Sequence, residues 1–257
     1  MNNKVVFITG ASAGIGEACA KAYAKAGAKL ILTARRQERL DDLAAALSHE
    51  YDVEILPIML DVSDRAQVES VFSSLKAGWQ DIDVLINNAG LSTATGPFSA
   101  LDLDQLEQMI DVNLKGVLYV THTALPQMIK RNIGHIVNIG SISSHEAYPG
   151  ANIYTATKHG LLAMTKVLRL DLLGTNIRVS QVDPGPVHTE FSEKRWGKER
   201  SDKFYNNFRA LYAEDIADAV VFCTSRKSHI NVEDIIINSI DFAGGTMAGK
   251  QESIFDK

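Results

Sequence analysis

Val5-Val6-Phe7-Ile8-Thr9-Gly10-Ala11-Ser12-Ala13-Gly14-Ile15-Gly16 decides the fold of this 257-residue chain. A short run of mostly β-branched residues reads as a strand. Three glycines within seven residues follow, and an Ala-rich helix opens at Gly14. Glycine lets the backbone approach a ligand closely, and the free N–H groups and dipole of the helix start favour an anion such as a pyrophosphate. The spacing is G-x-x-x-G-x-G rather than G-x-G-x-x-G, so the strand-turn-helix context carries the reading. Gly10, Ser12, Ala13, Gly14, Ile15 and Gly16 are the expected phosphate-loop residues; the competing reading is a tight turn with glycines for steric reasons alone.

Outward from this stretch, short apolar runs alternate with helical patterns. Val5–Thr9, Lys29–Ala34, Val53–Leu60 and Val84–Ile86 read as strands, with helices from Gly14, Gln37 and Asp64 between them. A long helical stretch from about Asp102 to Arg131 precedes His135–Ile139, a helix over Asn152–Leu173, Ile177–Val182 and Ile235–Ile237. Such alternation means parallel strands joined by right-handed crossovers, and continuous apolar runs mean that both sheet faces are covered. The expected fold is α/β, a single-domain Rossmann-type doubly wound parallel sheet over residues 1–257. A polar C-terminal tail from about 241 is either frayed or an oligomer contact.

Composition narrows the function classes. Hydrophobic residues make up 46% of the chain and charged residues 22%, as in ordinary globular proteins. The net charge of −5, without a basic cluster interleaved with aromatics, argues against a nucleic-acid surface. The first residues run directly into a strand and no apolar stretch reaches ~18 residues, so a cytoplasmic protein without a membrane span is expected. Cys19 and Cys223 form no C-x-x-C, and the seven His lack ligand spacing, so no disulfide or metal framework is expected.

In doubly wound sheets ligands sit beyond the carboxyl ends of the strands. The second strand ends Thr33-Ala34-Arg35-Arg36, with no carboxylate where an NAD-type site would place one for the ribose hydroxyl. Two guanidiniums before a helix start are disfavoured unless an anion lies nearby, so Arg35 and Arg36 point to NADP through its 2′-phosphate. The alternative leaves one arginine merely solvated. Asp61 and Val62 close the third strand where an adenine would lie, although Asp61 competes as the edge of the next helix beside a Ser63 cap. Asn87-Asn88-Ala89-Gly90 closes the fourth, with Asn87, Ala89 and Gly90 expected at the cofactor.

Tyr154-Thr155-Ala156-Thr157-Lys158 places a phenol and an ammonium on one helix face, where the cation favours phenolate. A surface pair on an amphipathic helix is the plain alternative, which context must overcome. As hydride reaches a carbonyl carbon, the oxygen becomes an alkoxide that needs a hydrogen-bond donor and a proton. Ser141, after His135–Gly140, stands at a strand's carboxyl end; Ser143 and Ser144 are its rivals.

Over nearly its whole length the chain resembles the short-chain dehydrogenase/reductase family. The resemblance rests on Thr9-Gly-x-x-x-Gly-x-Gly16, Asn87-Asn-Ala-Gly90, Asn113, Ser141, Tyr154-x-x-x-Lys158 and Pro184-Gly185 in the family's order. It implies Tyr154 as general acid/base, Lys158 lowering its pKa and holding the nicotinamide ribose, and Ser141 on the substrate oxygen. It also implies that Asn113 anchors a proton-relay water, and that Pro184 and Gly185 lead to carboxamide contacts from the Val187 backbone and Thr189. Ala147–Tyr154 (including Tyr148), Thr189–Ser192 with Arg195, and 224–231 are similar to the NADP-dependent 3-hydroxy-acid dehydrogenases, which act on serine, allo-threonine and related acids. Asn238-Ser239 departs from the Pro-Thr expected there, which bears on an oligomer contact or the pocket edge.

Tyr148 and Arg195 are the substrate candidates added to Ser141 and Tyr154. A guanidinium pairs bidentately with carboxylate, while the bland reading of Arg195 is a surface charge beside Glu193 and Lys194. A small hydroxy acid or carbonyl compound is the expected partner, and a homotetramer is implied by the resemblance. Rival readings are a reductase of neutral ketones, aldehydes or a pterin side chain, and a non-catalytic NADP-binding regulator.

Overall fold

The computed structural model describes residues 1–93 and 95–244. Seven strands, β1 (Val5–Thr9), β2 (Lys29–Ala34), β3 (Ile55–Met59), β4 (Ile82–Asn87), β5 (Gly134–Ile139), β6 (Ile177–Pro184) and β7 (Asp234–Ile237), form one sheet in the order β3-β2-β1-β4-β5-β6-β7. Every pairing is parallel. The helices are α1 (Gly14–Lys25), α2 (Gln37–Tyr51), α3 (Arg65–Ser74), α4 (Leu103–Ile110), α5 (Val117–Arg131), α6 (Asn152–Asp171), α7 (Glu190–Trp196), α8 (Lys198–Tyr205) and α9 (Ala213–Thr224).

The period of two in β1 divides its side chains between two cores. Val6 and Ile8 join Cys19 and Tyr23 of α1, Leu40 of α2 and Ile216 of α9. Val5 and Phe7 join Val68 of α3 and Val120 and Met128 of α5 on the opposite face. Each fully buried side chain of this size contributes about 1.5–3 kcal/mol, which is why neither face of β1 is left to solvent.

Several boundaries differ from the sequence reading. β3 is shorter than Val53–Leu60 and holds Pro57, tolerated because β3 is an edge strand with a neighbour on one side only. The stretch from Asp102 to Arg131 is not one uniform helix: a π-helical turn at Asp111–Gly116 separates α4 from α5. Asp64, not Ser63, caps α3, accepting from the Gln67 amide at 3.1 Å, while the Ser63 hydroxyl donates to Asp61 Oδ1 at 2.6 Å. Helix α9 was not anticipated, although it covers the same sheet face as α1.

The segment from 241 is packed where described. Asp241 takes two bonds from the Arg209 guanidinium at 2.7 and 2.8 Å, and Phe242 is buried against Ile142, Tyr205 and Phe208. The rest of the expected tail, 245–257, lies outside the described residues. Asn238 presses against Gly185 and the Ser239 hydroxyl donates to the Arg209 carbonyl, so this dipeptide braces the end of β6 from within the chain.

Candidate active site

The chain leaves β1 to one side for β2 and β3 and returns on the other for β4, so the carboxyl ends of β1 and β4 open a crevice. This cleft of about 910 Å³ runs from the phosphate loop to Ser141 and on to α7 and α8. Its floor is an interlock of two motifs. Thr9 Oγ1 accepts from the Asn88 and Ala89 amides, both at 3.0 Å, and Asn88 Nδ2 donates to the Thr9 and Gly10 carbonyls at 2.9 and 3.1 Å. Gly10 adopts a φ of +67°, and a Cβ there would come 2.9 Å from Ala89 Cα. Ala13 provides no side-chain cap for α1, so the first amides of that helix keep their donors for a ligand.

Gly10, Ser12, Ala13, Gly14 and Ile15 line the cleft, as do Arg35, Arg36, Asp61, Val62, Ala89, Gly90, Pro184, Gly185, Val187 and Thr189. Gly16 does not; it lies behind the loop, where a Cβ would collide with the Gly10 carbonyl. Asn87 is also placed away from the cleft. It is 2% exposed, and its Nδ2 donates to Thr121 Oγ1 and Asn138 Oδ1 inside the sheet, both at 2.9 Å. Its neighbour Asn88, which the sequence reading passed over, takes the cleft position.

The arginine pair has protein partners. Arg36 donates through Nε and Nη2 to Ser12 Oγ at 3.2 and 3.1 Å, and through Nη1 to Glu190 Oε2 at 3.1 Å. Arg39 reaches Glu190 Oε1 at 2.6 Å, and Arg35 stands 3.9 Å from Asp61 Oδ2. Glu190 of α7, 154 residues from Arg36, therefore faces this end of the cleft, and Arg39 and Arg36 hold it below the usual carboxylate range. Asp61 lines the cleft and also holds the turn before α3, through the Ser63 amide and hydroxyl.

Deeper in, β5 and α6 bring Ser141, Tyr154 and Lys158 together. Ser141 starts a 3-10 turn over Ile142–Ser144; its Oγ accepts from the Ser143 amide at 3.1 Å, and its hydroxyl favours ionisation of the neighbouring Tyr154 phenol. The rival serines face elsewhere: Ser143 Oγ pairs with the Tyr148 hydroxyl at 2.9 Å, and Ser144 Oγ donates to Asp183 Oδ1 at 2.8 Å. Lys158 Nζ donates to the Ile139 carbonyl at 2.8 Å and lies 5.8 Å from the Tyr154 ring centre.

Burial pushes the Tyr154 phenol up to about 12, against the Ser141 hydroxyl and the charge of Arg195. Burial also lowers Lys158 to about 8, with Asp183 opposing the change. The sequence reading expects Lys158 to lower Tyr154, but the groups that favour its phenolate are Ser141 and Arg195, and desolvation of the phenol outweighs both. Asn113, on the π-helical turn, does not line the cleft; Oδ1 accepts from the Leu91 amide and Nδ2 donates to the Leu91 carbonyl, both at 2.8 Å. It ties that turn to the loop after β4, beside Gly90.

Helix α7 closes the far wall. Phe191 lies against Tyr154 at 6.0 Å between ring centres. The Arg195 guanidinium sits 5.2 Å from the Tyr154 and Trp196 rings and 5.9 Å from that of Tyr148. Its Nη2 makes one long bond, 3.5 Å to the Tyr148 hydroxyl, while its buried Nε has no partner among the described residues. Phe204 and Phe242 complete an aromatic wall that the sequence reading missed, since nothing local links these positions to Tyr154. No group of three or more His, Cys, Asp or Glu among the described residues could hold a metal ion.

The short chain dehydrogenase family matches residues 4–200. The NADP-dependent 3-hydroxy acid dehydrogenase of Schizosaccharomyces pombe is 40% identical over 240 residues, covering 92% of this chain and 93% of that protein. Sulfoacetaldehyde reductase 2 of Chromohalobacter salexigens is 42% identical over 231 residues, covering 89% and 91%. The closed form of serine dehydrogenase complexed with NADP+ superimposes with a TM-score of 0.86 at 40% identity, covering 91% and 94%. The chain belongs to the short-chain dehydrogenase family.

Proposed function

We propose that this protein is an NADP-dependent oxidoreductase that interconverts the alcohol and carbonyl forms of a small 3-hydroxy acid. The observation that carries the reading is the Ser141–Tyr154–Lys158 cluster facing Arg195, whose buried Nε is unpartnered among the described residues. The cleft fits the nucleotide: an uncapped helix start for the pyrophosphate, close backbone passage at Gly10 and Ala89, and Arg35 and Arg36 at the 2′-phosphate end. NADPH, when bound, supplies the hydride. Ser141 and Tyr154 hold the substrate oxygen, and Tyr154, kept protonated by burial, gives its proton to that oxygen as negative charge develops there. Lys158, bonded to Ile139, steadies the ribose side of the cluster, and in the oxidative direction the same groups take the proton back.

Arg195 would hold the substrate carboxylate in a two-pronged pair, stacked among Tyr148, Tyr154 and Trp196. The three named relatives are a 3-hydroxy acid dehydrogenase, a serine dehydrogenase and a sulfoacetaldehyde reductase, and a sulfonate would present the same anionic face to a guanidinium. The aromatic wall of Trp196, Phe204 and Phe242 favours a second reading, a reductase of neutral carbonyl compounds. The two are separated by following nicotinamide absorbance with L-serine, 3-hydroxypropionate and neutral secondary alcohols against NADP and NAD. Preference for neutral alcohols would overturn the carboxylate reading.

The proposal includes a cytoplasmic homotetramer, by analogy with relatives. No helix among the described residues is long and apolar enough to cross a membrane. Leu118 of α5, Val167 and Leu170 of α6 and Ile236 of β7 are exposed apolar residues suited to subunit contacts. Light scattering on the purified protein reads the subunit number directly.

A further inference from the structure

Behind the reacting groups lies a fully buried carboxylate that the mechanism above does not use. Asp183, on β6, is 0% exposed and, among the described residues, is hydrogen-bonded by Ser141, Ser144, Gln181 and His145. Its Oδ1 accepts from the Ser141 amide, the Ser144 hydroxyl and Gln181 Nε2, each at 2.8 Å. Its Oδ2 accepts from Gln181 Nε2 at 3.1 Å and from His145 Nε2 at 2.9 Å. A carboxylate offers two acceptor oxygens to this set of partners, which holds the side chain in one orientation. Gly140 is required by the same packing, because a Cβ there would collide with Asp183 Oδ1.

We propose that Asp183, partnered by His145, is a positioning residue of the reaction centre: it fixes the Ser141 turn from behind and places one negative charge beneath Tyr154 and Lys158. The inference rests on the reading of Ser141 and Tyr154 as the groups at the substrate oxygen. Ser141 Oγ is aimed by its own main chain, whose amide is held by Asp183. Lys158 is tied to Ile139, two residues before Ser141, so both members of the cluster refer to the segment that Asp183 pins. The titratable groups facing the carboxylate are His145 from the end of the 3-10 turn and Tyr154 and Lys158 from α6; its register neighbour on β7 is Ile236. His145 is the one polar partner that reaches solvent, its side chain 28% exposed against 0% for Asp183.

The charge acts on both reacting groups in one direction. It raises Lys158 by attraction and raises Tyr154 by disfavouring phenolate. Asp183→Asn is nearly isosteric: its oxygen can keep the Ser141 amide and its NH2 can donate to the other tautomer of His145. Without the charge, both pKa values fall, and the proton-donating form of the site is lost at lower pH.

The test is D183N beside Y154F, with NADPH binding read by fluorescence and kcat/KM for carbonyl reduction followed across pH. The expected result for D183N is a kcat reduced about 10- to 100-fold, NADPH affinity within about twofold of the parent, and an alkaline limb displaced roughly one unit downward. Wild-type kcat with an unmoved limb in folded D183N overturns the proposal, whereas full activity in Y154F overturns the underlying site reading. Should D183N not fold, His145→Leu and His145→Gln take its place at the solvent side. Leu is expected to lower kcat and Gln, which retains an N–H donor, to restore it; equal, wild-type kcat in both sinks the idea.

Discussion

Replacing Arg195 by methionine separates recognition of the substrate anion from the chemistry. Among the described residues the side chain makes one hydrogen bond, at 3.5 Å, so little of the fold depends on it. Methionine keeps an apolar stem among Tyr148, Tyr154 and Trp196, and a melting temperature within a few degrees of the parent is expected. What R195M removes is a planar pair of donors, including the unpartnered Nε. Charge-assisted bonds contribute roughly 1.5–3 kcal/mol each, and allowing for the solvation that substrate recovers, about 3 kcal/mol is lost from the pair. At 1.36 kcal/mol per decade this is ~150-fold in kcat/KM for a 3-hydroxy acid. A neutral secondary alcohol should be affected by less than about twofold. Arg195→Lys, which keeps a charge but not the fork, should fall between the two. Steady-state rates from reduced-nicotinamide absorbance give all four numbers. Equal losses for the acid and the neutral alcohol, or none for either, would show that Arg195 does not hold the carboxylate.

Three further outcomes follow from the same geometry. Changing Arg35 and Arg36 to Asp should lower the ratio of kcat/KM for NADP over NAD by at least about tenfold per residue; an unchanged ratio refutes their placement at the 2′-phosphate. Tyr154→Phe should cost about 10²–10⁴ in turnover while NADPH fluorescence still reports binding, and retained turnover would dismiss the proton-transfer role. Burial lowers His135 to about 3, the positive charges of Arg178 and Lys4 adding to the effect, so the unfolded chain takes up that proton first as pH falls below the ordinary 6.5. Stability is therefore lost progressively from about pH 6.5 toward 3, by roughly 2–3 kcal/mol at pH 4.5 from this group alone. Thermal melts of His135→Gln should lose less between pH 7 and 4.5 than the parent, and parallel curves would contradict the assignment.

What could be read in advance depended on whether the cause was local. The glycine turn, the apolar strands and the Tyr154–Lys158 spacing are set by neighbours in sequence, and they appear where expected. Glu190 meeting Arg36 and Arg39 joins positions about 150 residues apart, so no window could contain it. Helices α7 and α8 depend on contacts of Trp196, Phe204 and Tyr205 with one another rather than on a periodic stripe. The π-helical turn at Asp111–Gly116 changes a hydrogen-bond pattern while leaving the apolar spacing almost as in an ordinary helix. Tyr154 shows the same limit in energetic form. Spacing brings a cation near it, but the surrounding three-dimensional packing decides its ionisation.

The interlock of Thr9 and Gly10 with Asn88 and Ala89 also says where this protein can be redesigned. Two motifs nearly eighty residues apart share hydrogen bonds, and a Cβ at Gly10 would come 2.9 Å from Ala89 Cα, so a larger residue at Gly10 needs a simultaneous retreat of the loop after β4. Single exchanges there meet a barrier that paired exchanges do not, and a library built one position at a time would find that floor closed to change. Arg35, at the rim and 60% exposed, is bound by no such mutual constraint. On the proposed placement of Arg35 at the 2′-phosphate, coenzyme preference is open to stepwise engineering at the rim, while the floor of the cleft changes only as a unit.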